Sequence, residues 1–261
     1  VLHRFGASVR AIYMSGGPTG ALLDGLLDLA GLQRQAVPMH DQVRMSLAVY
    51  ERSTGQEYRF VPEGPCLSPA ESEAAVEAVL ADPCPWLIAS GSLPRGVKPD
   101  FFARLIAPLA QQGRKLVLDT SGEALRAAFD AGGIYLAKPS LGEFEALVGR
   151  KFASTDEIGV AALGMVQAGK AEMIAVTMGE QGAVLAHHGG VVHQPGVKVA
   201  ARSATGAGDS FVAGMVFGLL TGEAPVQAFR RGIAAGTAAV LSPGTGLCDP
   251  ADVARILAAL P

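Results

Sequence analysis

The sequence has few cysteines, few charges and no long apolar run. Its three cysteines are odd in number and widely spaced, which disfavours a disulfide framework and a structural zinc site and is typical of a reducing compartment. No apolar run reaches the roughly 20 residues of a membrane-spanning helix, and no signal-peptide pattern opens the chain. Lys and Arg number 21 against 24 Asp and Glu, with no block of like charge. We therefore expect a cytoplasmic protein that binds neither nucleic acid nor a membrane.

Apolar residues make up 49% of the 261 residues, enough for a sizeable core. Strand-like apolar runs alternate with segments of helical periodicity. The predicted strands are 9–14, 86–90, 115–119, 134–137 and 173–177, and the predicted helices are 19–30, 99–112, 123–131, 140–148 and 156–167. Such alternation indicates βαβ units and a mostly parallel sheet that is covered by helices on both faces.

One segment departs from this alternation of strands and helices. Segments 44–50 and 57–61 alternate apolar and polar residues around Ser53, Thr54 and Gly55, which predicts a β-hairpin. We interpret residues 35–62 as a β-hairpin lid on a domain made of residues 1–34 and 63–261. The free edge and the apolar face of such a hairpin need cover, so we expect a homodimer formed through the lid.

The motif Thr205, Gly206, Ala207, Gly208 and Asp209 directly precedes an apolar helical pattern. The first N–H groups of a helix have no partner within the helix, and the helix dipole favours anions there. A phosphate on the amides of the two glycines and the alanine would leave the aspartate placed to take a proton from a hydroxyl, as phosphoryl transfer to an alcohol requires. The alternative is a simple helix cap in which the aspartate only interacts with the dipole.

Further polar segments follow the predicted strands. These are Ser90 to Pro94, Asp119 to Gly122, Lys138 to Ser140 and Met178 to Gly182. Ligands of open α/β sheets bind beyond the carboxyl ends of the strands. We therefore expect these loops and the glycine-rich turn to line one cleft.

Three strings, SGSLPRGV at 90–97, KPSLGE at 138–143 and TGAGD at 205–209, resemble in order and spacing the ribokinase-like (PfkB) carbohydrate kinase family, in its sugar-phosphate, minor 6-phosphofructokinase branch. The resemblance implies a three-layer α/β/α sandwich with a mostly parallel sheet and a small β lid. It implies ATP-dependent phosphorylation of fructose 6-phosphate to fructose 1,6-bisphosphate. The alternatives are a tagatose-6-phosphate kinase, a 1-phosphofructokinase, and a non-catalytic homologue that binds a nucleotide or a sugar phosphate. A P-loop enzyme is disfavoured because no G-x-x-x-x-G-K-[ST] string occurs.

The resemblance also implies roles for single residues. Asp209 is the catalytic base and contacts the sugar, and the amides of Gly206, Ala207 and Gly208 form an anion hole. The residues expected to bind ATP are Lys138, Ser140, Thr177, Gly179, Gly182, Ile233 and Thr237. Arg44 and Ser92 are expected to bind the sugar phosphate, and Glu143 to organise Mg²⁺. A monovalent cation, K⁺, is expected among Ser203, Thr205, Ala239, Ser242 and Gly244.

Two departures from the family pattern stand out. Ser140 occupies the position of the asparagine in the family's Asn-x-x-Glu motif, and a serine reaches less far than an amide. The family's first strand, its substrate-binding aspartate and its Gly-Gly-Asn sugar loop do not precede Val1 in this sequence. We therefore expect an N-terminally incomplete sugar site.

Overall fold

A computed structural model describes residues 1–260, with the side chain of Glu57 excepted. Its strands are β1 Arg10–Ser15, β2 Gln33–Pro38, β3 Leu47–Glu51, β4 Gln56–Phe60, β5 Trp86–Ser90, β6 Lys115–Asp119, β7 Ile134–Ala137, β8 Ala171–Thr177, β9 Ala183–His187 and β10 Gly190–Gln194. The main sheet has the order β10-β9-β8-β7-β6-β5. Strands β5 to β8 run parallel, and β9 and β10 are antiparallel to their neighbours. The parallel strands therefore present their carboxyl ends at one edge.

The helices are α1 Gly17–Leu29, α2 Pro69–Ala81, α3 Phe101–Gln111, α4 Gly122–Ala131, α5 Leu141–Val148, α6 Thr155–Gln167, α7 Ala207–Leu220, α8 Pro225–Val240 and α9 Pro250–Ala259. Helices α3 to α6 pack on one face of the main sheet and α7 to α9 on the other. In β6, Leu116 and Leu118 belong to the first core and Val117 to the second. Because both faces of the strand are buried, its three central residues, Leu116 to Leu118, are all apolar. The predicted three-layer α/β/α sandwich is confirmed.

The predicted N-terminal boundary of the lid, residue 35, is wrong. Residues 35–38 lie in β2, which pairs in parallel with β1, so they belong to the α/β layers rather than to the hairpin. The antiparallel hairpin consists of β3 and β4. The pattern of β2 is misleading because it is polar except for Ala36, Val37 and Pro38, and only Val37 is buried. Its stability comes from pairing with β1 rather than from an apolar run.

Strands β1 and β2 form a sheet of their own, separate from the main sheet. Between the edges of β1 and β5 lies a cavity of about 470 Å³, lined mostly by apolar side chains. It reaches the carboxyl end of the main sheet at Ser90 and along the following loop to Pro94. Within residues 1–260, no helix is long and apolar enough to cross a bilayer.

Candidate active site

The glycine-rich turn forms the start of α7. Gly206 is the N-cap residue and has a φ of 75° and a ψ of 5°, a left-handed conformation that favours glycine. Ala207 and Gly208 open the helix. The N–H of Ala207 reaches only the Ala204 carbonyl oxygen, at 3.4 Å, and no acceptor for the N–H of Gly206 or Gly208 occurs in the described part of the chain. These amides are therefore available to an anion at the positive end of the α7 dipole.

Asp209 is the third residue of α7 and is exposed to solvent. The hydroxyl of Ser90, the last residue of β5, donates a hydrogen bond of 3.2 Å to Asp209 Oδ1. A helix terminus on one face of the sheet thus meets the carboxyl end of β5. The carboxylate lies one helical turn at most from the free amides, as proton removal beside a bound phosphate requires.

Lys138 directly follows β7 and is buried. Its Nζ lies 3.1 Å from Oδ1 of Asp119, the last residue of β6. A Cβ on Gly208 would lie 3.3 Å from the same nitrogen, so the ammonium lies against the first turn of α7. Burial raises the pKa of the Asp119 carboxyl; Lys138 opposes this effect, and the negative charges of Asp209 and Glu143 add to it.

Glu143 lies in the first turn of α5 and forms a capping box with Ser140. The Ser140 N–H donates to Glu143 Oε2 at 2.7 Å, and the Glu143 N–H donates to Ser140 Oγ at 3.4 Å. One carboxylate oxygen is therefore held by the backbone. The charge of Glu143 still reaches Asp119. Mg²⁺ keeps most of its waters and uses as few as one carboxylate together with phosphate oxygens, so Glu143 fits a magnesium site.

The segment after β8 lies beside the start of α5. The Thr177 N–H donates to the Pro139 carbonyl oxygen at 3.0 Å, and the same threonine pairs with Ser140. Gly179 has a φ of 60° and open space around its Cβ position. Gly182 is different, because a Cβ there would come within 2.1 Å of the Gln194 carbonyl oxygen. Packing against the end of β10 is therefore sufficient to require glycine at 182.

The two residues expected in an adenine pocket differ in exposure. Ile233, on α8, is only 5% exposed and packs in the core that α8 shares with α7. Thr237, one turn later, is partly exposed. A Cβ on Gly236 would lie 3.1 Å from the Ala207 carbonyl oxygen. Helix α8 thus abuts the anion-hole turn, and Thr237 is the more exposed of the two residues at this end of the helix.

The expected cation residues lie on two adjoining segments. The Arg202 N–H donates to the Val240 carbonyl oxygen at 2.7 Å, which joins the segment before α7 to the end of α8. In the first segment the Thr205 N–H donates to Ser203 Oγ at 3.2 Å, and in the second the Ser242 hydroxyl donates to the Leu247 carbonyl oxygen at 3.2 Å. Ala239 is buried at the end of α8, and Gly244 has a φ of 58°.

The two residues expected to bind the sugar phosphate are both exposed. Ser92 follows β5, two residues after Ser90. Arg44 lies in the segment before β3 rather than in the strand, and its Nη1 is 3.7 Å from the Cβ position of Gly64. No hydrogen bond or ion pair in the described residues joins Arg44 to the cluster around Asp209.

Sequence reasoning assigned no role to Ser90 or to the Asp119 carboxylate. Both stand at strand ends in segments that the sequence places near the cleft, which is the signal that could have identified them. Their partners, Asp209 and Lys138, lie 119 and 19 residues further along the chain. Only the order of the strands brings each pair together.

Comparison with known proteins agrees with this geometry. A family model described as pfkB family carbohydrate kinase matches residues 1–252. The chain is 38% identical over 260 residues to ATP-dependent 6-phosphofructokinase isozyme 2 of Escherichia coli (strain K12), covering 99% of this chain and 84% of that protein. It is 36% identical over 257 residues to the protein of the same name from Mycobacterium tuberculosis (strain ATCC 25618 / H37Rv), covering 98% and 75%.

A solved structure extends the similarity to the fold. The crystal structure of phosphofructokinase-2 from Escherichia coli in complex with potassium matches with a TM-score of 0.95 and 37% sequence identity, over 99% of this chain and 84% of that one. The family expected from the three strings is therefore confirmed. This chain belongs to the pfkB family of carbohydrate kinases, which transfer a phosphate to a sugar hydroxyl.

Proposed function

We propose that the protein transfers the γ-phosphate of ATP to fructose 6-phosphate and produces fructose 1,6-bisphosphate. The observation that carries the proposal is the position of the Asp209 carboxylate, in the same helical turn as the free amides of Gly206 and Gly208. The sugar is inferred from the relatives, which are named ATP-dependent 6-phosphofructokinases. The reducing cytoplasm is the location we propose, in keeping with the three free thiols of the described chain.

In the proposed step, Asp209 accepts the proton of the attacking sugar hydroxyl. The hydroxyl oxygen forms a bond to the γ-phosphorus as the bond from that phosphorus to the bridging oxygen of ADP breaks. Negative charge on the transferred group faces the amides of Gly206, Ala207 and Gly208, and removal of one such donor costs about 3 kcal/mol in known enzymes. The Lys138 ammonium, 3.3 Å from the Cβ position of Gly208, supplies a positive charge at the same place.

Glu143 is the residue we propose to hold Mg²⁺, together with phosphate oxygens. The ion, when bound, neutralises phosphate charge. We also propose the segments 203–205 and 239–244 for K⁺, because they adjoin each other next to the anion-hole turn. The protein's own contribution there is to keep that turn in its left-handed conformation at Gly206.

The decisive variant is Asp209→Asn, which keeps the shape of the side chain and removes its basicity. General-base catalysis is typically worth between about 100-fold and about 10,000-fold, so we expect kcat to fall by that factor. Affinity for a non-hydrolysable ATP analogue, measured by calorimetry, should stay close to that of the wild type. Asp156→Asn is the matched control, because Asp156 is also an exposed aspartate in the first turn of a helix, α6. Normal turnover in Asp209→Asn would refute the assigned base.

A substrate panel decides the sugar. ADP release is measured with fructose 6-phosphate, tagatose 6-phosphate and fructose 1-phosphate under the same conditions. We expect the highest kcat/KM for fructose 6-phosphate. A higher kcat/KM for tagatose 6-phosphate or fructose 1-phosphate would identify that sugar as the substrate instead of fructose 6-phosphate. Binding of both ligands without ADP release would identify a non-catalytic homologue.

We further propose that the hairpin forms a homodimer. Leu47 pairs with Phe60 and Val49 with Tyr58, so the four side chains share one face, and each is between 44% and 59% exposed. An apolar face of this kind on a hairpin needs a partner. Sedimentation should show a dimer at micromolar concentration that Phe60→Lys dissociates. The control Val160→Lys changes an exposed residue of α6 and should leave the dimer intact.

A further inference from the structure

The ion pair between Lys138 and Asp119 lies beside the anion-hole turn and is largely buried. The lysine side chain is 7% exposed and the aspartate side chain 16% exposed. The ammonium also lies against the first turn of α7, where the helix dipole is positive. Both burial and the dipole act against a positive charge at this position. The cation therefore depends on the carboxylate beside it.

The backbone at both ends of this ion pair is held in place by the main sheet. The Lys138 N–H donates to the Leu118 carbonyl oxygen at 3.0 Å, and the Gly91 N–H donates to the Asp119 carbonyl oxygen at 2.9 Å. The Thr120 hydroxyl then donates to the Gly91 carbonyl oxygen at 2.8 Å. Adjacent parallel strands thus end in register, and little backbone freedom remains at either residue.

The carboxylates of the site have separate partners. Asp119 holds the lysine, while Asp209 receives only the hydroxyl of Ser90 among the described residues. Lys138 Nζ lies 3.3 Å from the Cβ position of Gly208, the residue before Asp209, so loss of the Asp119 charge would leave the ammonium free to pair with the Asp209 carboxylate. An ion pair formed there would occupy the group that has to accept the sugar proton and would remove the ammonium from the amide turn.

We propose that Asp119 is a positioning residue, which holds the Lys138 ammonium against the anion-hole turn of α7 and keeps it away from Asp209. The inference rests on the proposed kinase function and deepens it. Asp119 acts through Lys138, so its contribution should vanish when the lysine is absent. A displacement of about 1 Å in a positioned group can cost about 100-fold in rate, which sets the size of the expected effect.

A double-mutant cycle with Asp119→Asn, Lys138→Met and the double variant tests this dependence. We expect kcat to fall by about 10-fold to about 100-fold in Asp119→Asn, with the KM for fructose 6-phosphate changed by less than about 3-fold. The double variant should be no slower than Lys138→Met alone. Calorimetry with a non-hydrolysable ATP analogue gives a second readout. The losses of analogue affinity in the two single variants should again not be additive.

Asp82→Asn is the matched control. Asp82 is another buried carboxylate, 3% exposed in its side chain, and its Oδ2 lies 2.7 Å from Nη1 of Arg10. This ion pair lies before β5, away from the carboxyl ends of the strands. We expect the control to lower the melting temperature and to leave kcat and analogue affinity unchanged. Asp119→Glu, which keeps the charge, should recover part of the lost activity.

Each outcome decides the inference. Additive losses in kcat and in analogue affinity would overturn it, since Asp119 would then act independently of Lys138, for instance by binding the metal directly. Loss of kcat in the Asp82 control would overturn it as well. If Asp119→Asn does not fold, the double variant, which removes both charges, is compared with Lys138→Met alone. If the wild type phosphorylates no sugar of the panel, the proposed function fails, and the binding cycle still decides the role of Asp119.

Discussion

Replacement of Gly214 with alanine should destabilise the protein by forcing α7 and α8 apart. An ideal Cβ at Gly214 would lie 2.6 Å from the Cβ of Ala235 and 2.9 Å from the Arg231 carbonyl oxygen. Carbon atoms in ordinary contact are about 3.5–4.0 Å apart, so the helices would have to separate by about 1 Å. Alanine gains about 1 kcal/mol over glycine in a helix interior, whereas overpacking costs about 1–3 kcal/mol. Because one of the two contacts is backbone, we take the upper value and expect a net loss of about 2 kcal/mol.

Chemical denaturation and a thermal melt measure this change. A loss of about 2 kcal/mol corresponds to a melting temperature lower by about 5 °C for a chain of this size. Gly164→Ala in α6 is the matched control, since its Cβ position has nothing within 4 Å. That substitution should raise stability by about 0.5–1 kcal/mol. A Gly214→Ala protein as stable as the wild type would refute the close crossing of α7 and α8.

Two further predictions concern thiol reactivity and acid stability. Cys66 is exposed and should react quickly with a thiol reagent in the native protein. Burial raises the pKa of the Cys248 thiol, which should react only when the protein unfolds. A fast-reacting thiol that persists in Cys66→Ser would contradict this prediction. Burial tends to raise the pKa of the Asp82 carboxyl, but hydrogen bonds from Cys84 and Arg10 outweigh it and the pKa is lowered. A lowered carboxyl pKa gives stability that is present above the unfolded value of about 3.9 and lost as the pH falls through the lower folded value. Unfolding free energies measured from about pH 7 to about pH 3 should therefore fall less steeply in Asp82→Asn, and an unchanged slope would contradict the assignment.

The predicted strands of the main sheet agree closely with β5 to β8, because strands covered by helices on both faces have continuous apolar runs at their centres. Strand β2 was not predicted because three of its six residues are polar and only Val37 is buried. The antiparallel pair β9 and β10 was likewise not predicted. Pairing between separate segments leaves little trace in local periodicity.

Features of the candidate site likewise depend either on local sequence or on contacts between distant segments. The sequence by itself determined the glycine-rich turn and the aspartate at the start of α7, because both depend on residues within a few positions along the chain. The capping box of Ser140 and Glu143 is equally local but was not predicted. Only the tertiary structure decided that Asp119 neutralises Lys138, that Ser90 contacts Asp209, and that Ile233 lies in the core. These contacts follow from the order in which parallel strands lie side by side, and that order depends on the packing of the whole sheet between its two helical layers.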